Sequence, residues 1–324
     1  MLSFFPPMSN AVLQELVIEK DSIRNPYLLG SVSGKLLFVN RNVDKLISMF
    51  DLESGRFIGD FVSRGEGPNE LLFISSINSA GKLLAVFDAT MGPGVMQYYA
   101  VDSLGLQLES TTVLPDKSKE LVSAFNAISL EDDGLVVTGL TSSKRLVWLN
   151  KSGEEWNSFG DYPGKGEKSA VENAFAYQCF MAYSFSHKVL AVGNCFGEGI
   201  SFYDLQNRDK PQLLSEYVEC CPKYKSAQDG VIFERDNILG VVEMESTPDY
   251  CVVLYRGEAH SGTEYGGDKL LFFDWSGKPL LAVLLDQVYE NIAYDEGSNR
   301  LILLGISKED GDYRLASMNV SMVN

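Results

Sequence analysis

Read for its hydrophobic and polar positions, the chain is a series of short apolar runs, each opened by a turn residue. The runs are GKLLFVN from Gly34, GKLLAVFD from Gly81, DGLVVTG from Asp133, HKVLAVGN from His187, NILGVVE from Asn237 and NRLILLG from Asn299. Their starts lie 47, 52, 54, 50 and 62 residues apart, against 54 for six equal shares of the 324 residues. A recurring period of this size marks a repeat architecture. A second series runs behind the first, an aromatic or apolar strand ending in Asp or Asn and a glycine turn. It appears as FDLESG at Phe50, WLNKSG at Trp148 and FFDWSG at Phe272, and more loosely as VDSLG at Val101, FYDLQNR at Phe202 and SMNVS at Ser317. An Asp or Asn side chain accepts from the backbone two residues on, and glycine takes positive φ without steric cost, so each is a hairpin turn.

Each unit therefore reads as inner strand, turn, apolar strand, variable loop, aromatic strand, Asx–Gly turn and outer strand. Four-stranded units repeating at this spacing predict an all-β fold, a six-bladed β-propeller with antiparallel blades, as one domain over residues 1–324. Residues 1–10 read as a loose N-terminal extension. Helices fit poorly, because the apolar residues alternate or run in short blocks bounded by Gly, Asn and Asp. ELLFISSI, from Glu70, could open a helix but fits the inner strand of the second blade equally well. The last unit has three strands before the chain stops, and AVLQELVIEK, from Ala11, is a strand without a unit. It is predicted to supply the outer strand of blade six, leaving no open edge at the seam.

Composition changes this picture little. With 45% hydrophobic and 22% charged residues, the chain can bury a sizeable core. A net charge of −17 repels phosphate backbones and anionic lipid, so nucleic acid and membrane insertion are set aside. The acidity otherwise serves solubility, and a monomer is expected. Cys179, Cys195, Cys220, Cys221 and Cys251 show no CxxC pair or metal-finger spacing and are read as free thiols. MLSFFPPMSN carries neither a basic start nor a sustained apolar run, so it is neither a signal peptide nor a membrane helix. The chain then stays inside the cell unless an export signal has been removed from it.

At SRGEGPNEL, Ser63 to Leu71, the chain resembles the TolB-like six-bladed propeller proteins, found mainly among bacterial cell-envelope and lipoprotein sequences. Arg64, Gly65, Gly67, Pro68 and Glu70 match the RGxGPxEF-type turn that many of these carry after the first blade, while Leu71 departs from its aromatic. FGDYP, Phe159 to Pro163, is similar to a second feature of the group. The resemblance implies the propeller fold, a binding role, and the cell envelope or periplasm where a signal has been removed. It carries no catalytic residue across.

Sites of chemistry are few. GEGPNE and GEGISF do not complete GxGxxG, and PGKGE, at Pro163, lacks the Ser or Thr and the helix of a P-loop. His187, at a tight turn, and His260, in GEAHSGTEYGG, read as loop histidines. LEDDG at Leu130 and YDEG at Tyr294 occupy inner hairpin turns, so turn formation explains them without calcium. No nucleophile elbow, HExxH or EF-hand loop is present, and no metal or cofactor is expected. Propeller ligands usually gather at the channel mouth, on the face of the second-to-third-strand loops and blade-to-blade connections. Arg41, Arg64, Glu66, Asp88, Asp161, Tyr162, Asn194 and Glu198 are the ligand-binding candidates there. Arg64 and Glu66 fit a purely structural part as well, bracing the turn. The second-to-third-strand connection of blade five reads as unusually long, from about Glu245 through SGTEYGG, and is expected to form an extra hairpin or flap. Two function classes follow: a non-catalytic scaffold for a protein, peptide or glycan, favoured here, or a hydrolase or lyase of a lactone or carbohydrate using a carboxylate or divalent cation.

Overall fold

A computed structural model describes residues 1–116, 119–130, 134–164, 168–260, 265–307 and 311–323. Part of four sequence features therefore lies outside the described residues: Asp133 of DGLVVTG, the acidic centre of LEDDG (131–133), KGE of PGKGE (165–167) and SGTE of the blade-five segment (261–264).

Six four-stranded antiparallel units follow one another. Two short N-terminal strands, β1 (Ser9–Asn10) and β2 (Gln14–Glu15), precede blade one, which holds β3 (Pro26–Val32), β4 (Lys35–Asn40), β5 (Lys45–Asp51) and β6 (Phe57–Ser63). Blade two holds β7 (Ser76–Ala80), β8 (Leu83–Asp88), β9 (Val95–Val101) and β10 (Leu106–Val113). Blade three holds β11 (Leu121–Ser129), β12 (Leu135–Thr141), β13 (Leu146–Leu149) and β14 (Glu155–Phe159). The helix α1 (Ala170–Ala176) leads into blade four, with β15 (Cys179–Ser184), β16 (Val189–Asn194), β17 (Glu198–Asp204) and β18 (Gln212–Cys220). A separate hairpin, β19 (Tyr224–Ala227) and β20 (Gly230–Phe233), precedes blade five, with β21 (Ile238–Ser246), β22 (Tyr250–Ala259), β23 (Gly267–Asp274) and β24 (Pro279–Tyr289). Blade six holds β25 (Asn291–Asp295), β26 (Arg300–Ile306) and β27 (Tyr313–Asn319).

The missing fourth strand comes from the other end of the chain. β2 pairs antiparallel with β27, Gln14 opposite Ser317 and Glu15 opposite Ala316, as the orphan strand predicts. β1 adds a parallel fifth strand to β24. Before β1, Met1 is buried and Phe5 meets Phe273 edge-on at 5.0 Å.

The core divides into six buried clusters, one at each contact between neighbouring blades. The seam is the sixth: Ile18 joins Leu36, Phe38 and Phe50 of blade one to Ile302, Leu304 and Leu315 of blade six. The outer turns form as their sequences predict. Asp51 Oδ1 accepts from the Ser54 amide at 2.9 Å, Asn150 Oδ1 from the Ser152 amide at 2.8 Å and Asp274 Oδ1 from the Ser276 amide at 2.9 Å. Glycine is obligatory at one of these turns, for Gly55 has φ +69° and a Cβ there would lie 2.3 Å from the Val17 carbonyl oxygen. That tight approach presses the N-terminal segment onto blade one.

Blade five departs from the sequence reading. NILGVVE belongs to its innermost strand, β21, whereas the equivalent runs elsewhere form second strands. The second strand is β22, so the segment after Glu245 is regular strand from Tyr250 to Ala259 where a long loop was expected. The misreading has a physical cause. The turn between β21 and β22 is held by Thr247, whose Oγ1 accepts from the Tyr250 amide at 2.9 Å, so no glycine announces it. A separate hairpin, β19–β20, lies in the connection that precedes the blade, where the sequence reading placed none.

Phe50 is fully buried at the seam, with edge contacts to Phe38 at 5.2 Å and Phe57 at 5.3 Å. Phe50→Ala is expected to destabilise the whole ring by about 3–5 kcal/mol, read as a lower urea midpoint with one cooperative transition.

Candidate functional site

The RGxGPxE loop is built around one carboxylate. Glu70 Oε2 accepts from the Gly67 amide at 2.9 Å, and a Cβ at Gly65 would sit 2.1 Å from that same oxygen. The glycines thus make room for the Glu70 side chain inside the turn, while Arg64 and Glu66 are left exposed on its rim. The loop is tied to blade one by the Arg64 amide on the Asp44 carbonyl at 2.8 Å.

Asp88, at the end of β8, secures the continuation of that loop. Its Oδ2 accepts from the amides of Leu72 and Phe73 at 2.7 and 3.0 Å, and its Oδ1 from the Thr90 amide and hydroxyl at 2.7 and 2.6 Å. It is fully buried, so this candidate's carboxylate is committed to the fold. Phe73, positioned by this clamp, stacks on Tyr27 at 5.0 Å and 12°, and Arg41 lies over the Tyr27 ring at 4.6 Å. Arg41 and Phe73 are both exposed. Burial raises the nearby Glu290 carboxyl above its ordinary value, with Arg41 opposing the rise.

A second group surrounds Arg145, a buried guanidinium at the end of the β12–β13 loop. It donates to Asn194 Oδ1 and, at 3.5 Å, to the Tyr177 carbonyl. The Tyr162 ring packs at 5.6 Å from that of Tyr177, and the Tyr162 hydroxyl meets Thr141 Oγ1 at 3.1 Å. Burial pushes the Tyr162 phenol up. Asp161 pairs with Lys144 at 2.6 Å on the open surface. The connection above them is capped in its own right: Ser169 and Glu172 form a capping box on α1, and Glu172 also accepts from Ser226 of the β19–β20 hairpin. Led by the Ser226 bond, these contacts hold the Glu172 carboxyl down at about 2.

The structure thus brings Arg41, Arg64, Glu66 and the Asp88 clamp to one sector, and Tyr162 with Asn194 to another. Glu198 points elsewhere, accepting from the Tyr255 hydroxyl and from Cys220 Sγ at 3.5 Å. His187 is held by Ser184 and Ser186 at its turn, and all five cysteines are free.

The central channel holds residues that sequence reasoning missed. Its narrow bore, about 70 Å³, is lined by all six inner strands, with Glu243 and Glu245 contributed by β21. It opens on the inner-hairpin face into a mouth of about 550 Å³ lined by the first turns of the blades, including Tyr183, Phe185, Pro248 and Tyr294. Neither glutamate has an ion-pair partner among the described residues; each accepts from the amide that follows it, Met244 and Ser246, at 3.0 Å, and Glu245 also accepts from the Tyr294 backbone. Burial, reinforced by Glu245, pushes Glu243 up to about 8, and burial pushes Glu245 up to about 7. The signal was in VVEMES, where two acids two apart interrupt an apolar strand and so share one side of it. Assigning that run to a second strand hid it.

Both carboxyls bind their protons more tightly folded than unfolded. Stability is therefore expected to fall as pH rises from about 4.5 to about 8, and to level off above. Urea midpoints across that window are expected to show the fall in the native chain and a flatter profile in Glu243→Gln/Glu245→Gln.

Among the described residues no helix is long and apolar enough to cross a membrane. No curated protein matches the sequence. Solved structures match at the level of the fold. A Bacteroides fragilis protein described as exported shares 12% identity and a TM-score of 0.58, with 95% of this chain and 94% of that one covered. A DUF4221-family member from Bacteroides vulgatus shares 12% identity and 0.57, with 96% of each chain covered. The Cps50 (Swd1) β-propeller domain of Myceliophteria thermophila shares 13% and 0.53, with 92% and 98% covered. The family described as TolB-like 6-blade propeller-like matches residues 5–297, and with its six blades and RGxGPxE turn this chain belongs to that TolB-like propeller family.

Proposed function

We propose that this chain is a non-catalytic, monomeric binding propeller whose loop face presents a rigid contact surface to a protein, peptide or glycan. The observation that carries this reading is the Arg41–Tyr27–Phe73 stack, exposed at Arg41 and Phe73 over a half-buried Tyr27, with Arg64 and Glu66 beside it on the adjoining blade-to-blade loop. Flat aromatic and guanidinium groups held by a buried clamp bind at low entropic cost, because the partner does not have to order them. Asp161 and Tyr162 extend the surface over blade three. The Bacteroides fragilis protein of the same fold, described as exported, supports a place in the cell envelope or periplasm.

The alternative, a hydrolase or lyase of a lactone or carbohydrate, has one observation in its favour. Glu243 holds its proton near neutral pH, as a general acid must.

Screening the chain on glycan and peptide arrays tests the first reading. Hits are expected to lose about tenfold or more in affinity in Arg41→Ala and Phe73→Ala and to keep it in Glu243→Gln. Hits indifferent to both loop-face changes count against it. Turnover of lactones or aryl glycosides that disappears in Glu243→Gln would replace it with the enzyme.

A further inference from the structure

Several side-chain donors of the channel are turned onto the backbone. Ser76 Oγ donates to the Ala127 carbonyl at 2.7 Å, Asn78 Nδ2 to the Ser79 carbonyl at 2.9 Å, and Asn126 Nδ2 to the Cys179 carbonyl at 3.4 Å. These amide and hydroxyl donors of the bore are spent on backbone. The acceptors are spent only in part: among the described residues Glu243 and Glu245 accept from backbone amides but have no ion-pair partner, and the buried Oδ1 of Asn126, in the same bore, has no hydrogen-bond partner. Among the described residues no Lys, Arg or His lines this part of the channel. An unpartnered buried acceptor in the same bore as two carboxyls without a cation is the complement of a ligand that brings both donors and positive charge.

The mouth below the bore gives that ligand its size and character. At about 550 Å³ it falls within the range of small-molecule sites, and it carries aromatic and apolar surface from Tyr183, Phe185, Tyr294 and Pro248. Its remaining charges are accounted for. Asp295 is spent on the Ser298 amide at 2.8 Å and hydroxyl at 2.6 Å, while Lys82 and Glu296 are exposed on the rim. A metal is disfavoured by the donor set, since no three His, Cys, Asp or Glu gather among the described residues and hard cations take six or more oxygens. An ammonium group needs only a few acceptors.

We propose that the channel binds a small organic ammonium compound from the inner-hairpin face, its cationic head on Glu245 and Glu243 and its apolar body against Tyr183, Phe185, Tyr294 and Pro248. This site lies apart from the loop-face surface proposed above and does not depend on it. The raised protonation of both glutamates marks the cost of leaving them without such a partner.

Isothermal titration of the full chain with phenethylammonium chloride, with its neutral counterpart 2-phenylethanol and with calcium chloride tests the site. The ammonium is expected to bind about tenfold or more tightly than the alcohol. Glu245→Gln and Glu243→Gln/Glu245→Gln, checked for an unchanged cooperative melt, are expected to erase that preference and leave the alcohol unaffected. Equal affinity of the two probes for the native chain, or no measurable ammonium binding, overturns the proposal without need of any variant. So does an ammonium preference that survives in the double variant, or binding of calcium alone through the two glutamates. Arg41→Ala leaves the ammonium affinity unchanged, which separates failure here from failure of the loop-face reading.

Discussion

Sideways burial of one blade against the next is the constraint on which this molecule depends. A four-stranded sheet of this length has apolar side chains on both faces, as β4 shows with four consecutive buried apolar positions, Leu36 to Val39, and cannot cover both faces by itself. The ring solves this by repetition, with six apolar clusters each shared by two blades. Closure is then obligatory, since an open ring would leave two apolar faces and two strand edges in water. That is why the N-terminal segment runs back to β27, and why Gly55 has no room for a side chain beneath it.

The same constraint decides where polar groups can act. Within the blades they are used up by structure: Asx turns close the outer hairpins, Asp88 clamps a loop and Asn194 receives Arg145. Two regions hold polar groups without such duties, the rims of the loop face and the axis of the ring. On the rim, water screens each charge, so Arg41, Arg64 and Glu66 stand there at little cost. On the axis, Glu243 and Glu245 have less of that screening and no cation among the described residues, and their protonation answers in place of one. A rigid wall with unpaired acceptors at its centre is therefore a consequence of the ring as much as a feature of one strand.

Much of this was legible beforehand. The repeat spacing and the Asx–Gly turns depend on local chemistry, so the blades, their number and the closing strand could be read from the residues alone. The loop around Glu70 could be located but not understood, because the need for glycine at 65 and 67 comes from a side chain folding back into the turn. Among the eight candidates, residue type and loop position could not tell Arg41, which is exposed, from Asp88 and Asn194, which are buried and bonded. Burial is decided by neighbours distant in sequence.

Blade five shows the boundary most sharply. Its first turn is made by the Thr247 side chain with no glycine, so a pattern keyed to glycine and Asx slipped by one strand and turned an inner strand into a second one. With that slip the two glutamates of VVEMES lost their place on the channel. By itself the sequence determined what short-range forces determine, the strands, their turns, their period and the need to close. Which side chains meet at the axis, and whether a carboxylate there finds a partner or stands alone, was decided only when six separate segments converged, because desolvation and pairing depend on distances that no local pattern encodes.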